Sequence, residues 1–296
     1  MSNELPTLSI VAIFHNMQRE APRTLYSLSS QYQQTSDDFN YEVIAIDNAS
    51  SQALQSSEVE RFGSSFSYHY YQTDSVSPVA AINHGASIAT GEYLMILIDG
   101  ARILSPGIIN TAMRIAPVYE QPFIYTLGLH LGPSIQNLSI EEGYCQRVED
   151  QLLADADWKN NGYCLFDISA LAGSSGKGYL GTINESNCFI MRRDNFHALG
   201  GMNSAFQTPG GGLVNLDFFQ KVCQASGSTP ILLLGEGSFH QIHGGVATNV
   251  KREDHPMESF REEYQSIYNK PYLVDKTIEP IYFGKSSKHC HKFFSV

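Results

Sequence analysis

Positive charge is scarce in this sequence. Its 296 residues carry 19 Lys and Arg against 30 Asp and Glu, a formal net charge of -11. A nucleic-acid surface needs a basic face to neutralise phosphates, so nucleic acid is not an expected partner. An acidic chain that holds a phosphorylated ligand needs a metal cation or a local basic cluster. Long hydrophobic runs are missing too, and none reaches the roughly 20 residues of a membrane span. The five cysteines are odd in number and show no C-x-x-C spacing. That speaks against a disulfide framework or a zinc knuckle and for a reducing compartment. The opening M-S-N-E-L-P-T has neither the basic nor the apolar segment of a secretory signal, so a cytoplasmic protein is expected. Hydrophobic residues make up 42% and charged residues 17%, a globular composition, and the length suits one large α/β domain.

The stretch from Ala80 to Pro106 organises the rest. Ala80–Ala89 reads as a short helix, Thr90-Gly91-Glu92 as a turn in which Gly91 takes a positive φ, and Tyr93–Ile98 as a strand buried on both faces. The strand ends on Asp99. Earlier, Leu8–Phe14 and Tyr41–Ile46 are apolar strands ending on His15-Asn16 and on Asp47. Phe66–Tyr71 is a third strand, and helices are expected over Glu20–Gln31 and Leu54–Phe62. Strands alternating with helices imply a parallel sheet with right-handed crossovers. His15, Asn16, Asp47 and Asp99 then converge on the carboxyl edge of that sheet, where open α/β sheets bind ligands. Ser105–Tyr119 is expected to be a helix. The polar, glycine-rich segment from about 128 to 182 lacks a clear period and reads as a functional insertion or lid. Asn187–Arg192 reads as a strand, Val214–Ala225 as a helix, Ile231–Leu234 as the last strand and Met257–Tyr268 as a further helix.

The strings V-I-A-I-D-N-A-S and N-H-G-A-S-I-A-T-G-E-Y-L-M-I-L-I-D, with the later L-G-G-M-N, resemble the family 2 glycosyltransferases with the GT-A fold. The resemblance implies a Rossmann-like, mostly parallel mixed sheet flanked by helices in a single main domain. This domain is expected over residues 1–250, with 251–296 a helical extension and tail. It also implies transfer of a sugar from a nucleotide-sugar donor, with Mn²⁺ or Mg²⁺. Mapped by motif, Asp47 matches the acid that holds the base. Phe14, His15 and Asn16 line the base and ribose end, and Asn83 and His84 contact the nucleotide. Asp99 matches the first acid of the D-x-D metal motif. The second acid is missing, since Gly100-Ala101-Arg102 follows, so either another ligand completes the site or Arg102 supplies positive charge. In V-N-L-D, Asn215 stands at the usual place of the general base. Asp217 is the nearest carboxylate, and Glu185 is a second candidate.

His240 and His243 sit in F-H-Q-I-H-G-G after the last strand. One of them is expected as a metal or diphosphate ligand. His243 is the better placed, because Gly244-Gly245 permits close approach of a phosphate. His289 and His291, in H-C-H, suggest a soft-metal site as one reading, but in so short a tail they read first as solvated residues. On the acceptor side, Trp158 offers an apolar face for a sugar ring and Asp157, with Asp155, hydroxyl acceptors. Trp158 as a core anchor is the alternative. The expected function is metal-assisted transfer from a UDP- or GDP-sugar to a glycan or lipid-linked acceptor. The alternative is a degenerate domain that binds nucleotide or glycan without catalysis. A nucleotidyltransferase ranks last, because F-H-N-M-Q-R lacks a glycine-rich phosphate loop. The Lys- and Phe-containing tail is the segment expected to touch the inner face of a membrane, if any does.

Overall fold

A computed structural model describes residues 7–35 and 40–294. Residues 1–6, on which the amino-terminal reading rests, and the last two residues of the tail lie outside the described residues. Ten strands among them form one sheet: β1 (Leu8–Phe14), β2 (Tyr41–Asn48), β3 (Phe66–Tyr71), β4 (Tyr93–Leu97), β5 (Arg102–Leu104), β6 (Gln121–Leu131), β7 (Ser169–Leu171), β8 (Cys188–Arg192), β9 (Ser228–His240) and β10 (Ile281–Gly284). The described helices are α1 (Ala21–Ser27), α2 (Ser56–Glu60), α3 (Val79–Ile88), α4 (Ile108–Ile115), α5 (Gln136–Glu141), α6 (Gln146–Asp155), α7 (Arg193–Ala198), α8 (Val214–Cys223) and α9 (Met257–Tyr268). The sheet order is β10-β9-β6-β8-β4-β1-β2-β3, with β5 and β7 beside β9 and β6. β8 runs antiparallel between β4 and β6, and the other strands of that order pair in parallel. This is the expected α/β domain with a mostly parallel mixed sheet, and two apolar cores cover its two faces.

The first half follows the sequence pattern closely. Val11, Ile46 and Ile82 sit in the same core, so α3 lies on β1 and β2. The contact is tight enough to require Gly85, since a Cβ there would stand 2.4 Å from Val11 Cγ1. Gly91 is needed for a different reason from the expected one. It does not take the left-handed φ that would end the helix. Instead the β1 backbone passes so close that a Cβ on Gly91 would lie 2.6 Å from the Ser9 amide nitrogen. The Ser9 hydroxyl accepts from the Gly91 amide at 2.7 Å.

The second half differs more. Pro122 and Gly128 interrupt the apolar pattern of β6, so the expected change of structure at Gly128 falls inside an 11-residue strand. β9 runs 13 residues, well past the expected Leu234, through Gly235 and Gly237. Ser105–Tyr119 is α4 followed by a 3-10 turn over Ala116–Val118. β10 lies in the segment read as extension and tail, yet it pairs in parallel with β9. Its I-Y-F-G run is apolar but only four residues long, and it lies largely exposed beside β9. The insertion is anchored to the sheet by β7 on β6. It is also anchored through Glu149 of α6, which accepts from the Ile242 amide at 2.8 Å and from Arg19 of the β1–α1 connection at 3.2 Å.

Candidate functional site

A cleft of about 1590 Å³ opens along the edge where β1, β2 and β4 end and β8 begins. His15, Asn16, Asp99, Arg102, Glu185 and His243 line it. Asn48, Asn184, Asn187 and Asn215 line it as well.

At the β1–β2 end the two connecting loops are knitted together. His15 Nδ1 donates to the Asn48 carbonyl at 2.8 Å, which leaves Nε2 to accept from the Asn16 amide at 3.1 Å. Asn16 Oδ1 accepts from the Ser51 hydroxyl and the Gln52 amide, each at 3.0 Å. Asn16 and Ala49 both hold positive φ, a conformation that L-residues adopt at a cost. Asn48 is buried and its Oδ1 has no hydrogen-bond partner among the described residues. A buried acceptor left unpaired costs about 1–3 kcal/mol, so a ligand donor here would recover that energy. Asp47 itself does not reach the cleft. Its carboxylate is fully buried and accepts from the Ser50 amide (2.8 Å), the Leu54 amide (3.1 Å) and the Tyr68 hydroxyl (3.3 Å), so it shapes the loop that presents Asn48.

At the centre stand Asp99 and two histidines. β9 ends on His240 and the chain turns, bringing His243 back onto the same point. His240 Nε2 lies 2.7 Å and His243 Nε2 3.4 Å from Asp99 Oδ2, with the two ring nitrogens 3.2 Å apart. Gln136 of α5 decides the state of His240. Its amide NH₂ donates to the His240 carbonyl at 2.9 Å, so its oxygen faces His240 Nδ1 at 2.8 Å and Nδ1 must carry the proton. Burial pushes His240 down to about 4 against the raising effect of Asp99, so the ring is neutral near pH 7. Its Nε2 lone pair therefore points at a carboxylate. Burial opposes ionisation of Asp99, but the nearby histidines, His243 first, outweigh it and hold the carboxyl well below the usual range; with His240 neutral near pH 7, the charge that does this there is that of His243. Burial lowers His243, and the Asp99 carboxylate more than restores it, for a net upward shift. The three side chains offer ligand atoms all within 4.8 Å of one another. A lone pair and a carboxylate face to face, with the second ring nitrogen fixed by an amide oxygen, form a donor set that fits a divalent cation. The sequence had put His243 ahead of His240 and carried no sign of Gln136.

Arg102, on β5, pairs with His240 in register and is buried. Among the described residues its only side-chain hydrogen bond is to Ser238 Oγ at 3.4 Å, and Nε has no partner. Among the described residues no carboxylate lies in salt-bridge range of it. A buried guanidinium without an anion is costly, which suits a ligand bearing negative charge.

Beside β8, Glu185 is buried and fits against β6 only because residue 128 is glycine; a Cβ there would lie 2.0 Å from Glu185 Oε1. The hydroxyls of Ser174 and Ser175 and the amide of Asn187 donate to its carboxylate. Asn215 donates to Asn187 Oδ1 at 2.8 Å, so the asparagine at the usual base position is coupled to Glu185 through Asn187. Asn184 Oδ1, one residue away, is another buried atom without a partner.

Several expected site residues stand elsewhere. Asp217 is 200° round α8 from Asn215 and accepts from the Tyr268 hydroxyl of α9 at 3.0 Å, outside the cleft lining. Phe14 is fully buried in a core. Asn83 holds the Gly200–Met202 turn through two bonds to the Met202 backbone, at 2.9 and 3.0 Å. His84 stacks on Tyr71 at 4.9 Å. Trp158 is buried against Tyr26 and Tyr32, ring centroids 5.6 and 5.4 Å away, the core-anchor alternative. Asp157 shares a smaller separate pocket with it, and exposed Asp155 bonds Gln151.

Residues 9–99 match the family model of glycosyl transferase family 2. The match begins in β1 and its last residue is Asp99. The family 2 resemblance read from the motifs is thereby borne out over these residues. Three solved structures of S. aureus TarS share the fold. The chain comprising residues 1–349 gives a TM-score of 0.54 at 12% identity, over 88% of this chain and 64% of that one. The same chain in complex with UDP-GlcNAc gives 0.53 at 13%, over 81% and 59%. The complex with UDP gives 0.53 at 12%, over 90% and 67%. This chain thus spans a little under two thirds of the first of these. None of the curated proteins matches it in sequence. Among the described residues no helix is long and apolar enough to cross a membrane.

Proposed function

We propose that the cleft binds a nucleoside diphosphate sugar and transfers its sugar to an acceptor hydroxyl. The observation that carries this reading is the row of unsatisfied polar groups along one sheet edge. Asn48 Oδ1, at the end of β2, offers an acceptor to a nucleobase N–H, beside His15 and Asn16. Asp99 follows β4, two strand spacings or roughly 10 Å away, a span suited to a nucleoside and its phosphates. Arg102 supplies fixed positive charge there. Asp99, His240 and His243 would hold the divalent cation, and two imidazoles favour Mn²⁺ over Mg²⁺, which prefers oxygen ligands. Such a cation supplies charge stabilisation to the departing diphosphate.

Glu185 lies three residues before β8, the strand next to β4. Held by two serines and Asn187, it is oriented to take the proton of the attacking hydroxyl. One base on one side and a leaving group on the other is the arrangement of a direct displacement, which inverts the anomeric centre. Asp217, turned toward Tyr268, is a helix-packing residue in this reading. UDP is the first nucleotide to try, because the TarS structures of the same fold hold UDP-GlcNAc and UDP; a GDP-sugar is the second. A glycan or a lipid-linked sugar is the acceptor class.

The test is calorimetric titration of UDP and GDP, each with Mn²⁺ and with EDTA, in the native protein and in Asp99→Ala. One nucleotide should bind with Mn²⁺ and weaken at least tenfold with EDTA or in the variant. Absence of binding by both would overturn the proposal. Tight binding with no nucleotide release from any sugar donor would favour the non-catalytic alternative, which the incomplete D-x-D motif motivates.

A further inference from the structure

A second group of ligand-type side chains lies away from the cleft, where the carboxyl-terminal 3-10 turn Lys288–Phe293 packs on the 3-10 turn Gly162–Phe166 of the insertion. A 3-10 helix has three residues per turn, so residues three apart share a face. Cys290 and Phe293 face inward and are buried, with the Phe293 ring 6.1 Å from Phe166. His289 and Lys292 therefore lie together on the neighbouring face, toward the insertion. His289 Nδ1 is 2.5 Å from Asp167 Oδ2, and Lys292 Nζ donates to the carbonyls of Asp167 (3.2 Å) and Ser169 (3.0 Å). Cys164 and Asp167, also three apart, present a thiol and a carboxylate to the same spot. One ligand atom each from Cys164, Asp167 and His289 lies within 4.8 Å of the other two.

We infer that Cys164, Asp167 and His289 form a zinc-type metal site that ties the carboxyl-terminal turn to the insertion. Thiolate, carboxylate and imidazole are the three donor types that Zn²⁺ accepts in a tetrahedral site. With the thiol proton released to solvent, two negative donors balance the divalent charge. Asp167 is exposed and the other two are partly exposed, so the fourth position faces water. The neighbouring H-C-H residues take no part. Cys290 Sγ is buried and donates to the Ser287 carbonyl at 3.2 Å, and His291 is exposed beyond the contact face. The site joins residues 122 positions apart and is independent of the cleft chemistry.

Cobalt reports on it directly, because only a thiolate ligand gives the near-ultraviolet sulfur-to-cobalt charge-transfer band. The native chain titrated with CoCl₂ should develop that band in full by two equivalents, because the cleft site also takes the ion, and lose it on adding ZnCl₂. Cys164→Ser and His289→Ala should abolish it with unchanged far-ultraviolet circular dichroism. Asp99→Ala should keep it, since the cleft site has only nitrogen and oxygen donors. Should a variant of this site fail to fold, Asp99→Ala, which lacks the cleft site, still decides: EDTA must remove its band and lower its Tm, and ZnCl₂ must restore that Tm. A cobalt-loaded native chain without the band, or Cys164→Ser retaining it, would overturn the inference.

Discussion

Replacing Glu236 by Gln should flatten the dependence of stability on pH. Glu236 lies on β9, four residues before His240, and is 4% exposed. Ser105 donates to one carboxylate oxygen and Tyr163 to the other at 3.0 Å, but no described Lys, Arg or His pairs with it. Gly107 makes room for it, since a Cβ there would lie 2.4 Å from Oε1. Burial, only partly offset by these donors, pushes the carboxyl up from 4.5 to about 7. A raised folded pKa means that folding favours the neutral acid. The resulting stabilisation is fully present below the unfolded value and is lost as pH rises through the folded one. Between about pH 5.5 and pH 8.5 the loss amounts to about 2 kcal/mol. Gln is uncharged throughout and lacks this contribution. Glu149, also pushed up to about 7 by burial, adds the same slope to both proteins and cancels in the comparison. Urea unfolding of both proteins at the two pH values measures the difference. Native protein should lose about 2 kcal/mol more than Glu236→Gln. Equal losses would refute the reasoning and mean that Glu236 keeps its ordinary pKa in the fold.

Two further predictions bear on the site and on the core. Glu185→Gln should lower kcat by about 10²–10⁴-fold while leaving nucleotide affinity unchanged, and Asp217→Asn should change kcat by less than about threefold; steady-state rates and calorimetry on both variants check this, and the reverse outcome would move the base to α8. Gly85→Ala places a methyl 2.4 Å from Val11 Cγ1 and should cost about 1–3 kcal/mol in denaturant unfolding, with a neutral result contradicting the tight contact of α3 on β1.

Periodicity along the first hundred residues was enough to determine the α/β alternation, the carboxyl edge and the placing of His15, Asn16 and Asp99 on it. Each of those strands is a short apolar run, and a polar residue that ends such a run has one edge to go to. Local pattern could not determine what depends on long-range packing. β6 is broken by Pro122 and Gly128, and β10 is a run of only four residues, so neither reads as a strand until its neighbour is in place. Asp47 and Asn48 are adjacent, and only the loop's own amides decide that the Asp turns inward and the Asn toward the cleft. By sequence position Asp217 was the first candidate base and Glu185 the second. The rotation of α8 against α9 turns one away from the cleft, and a glycine on β6 admits the other to it. His240 needed Gln136, 104 residues distant, to fix its proton, and Cys164 needed a tail 125 residues later to give it a histidine. Such pairings are set by the closing of the chain on itself, which no spacing along the sequence encodes.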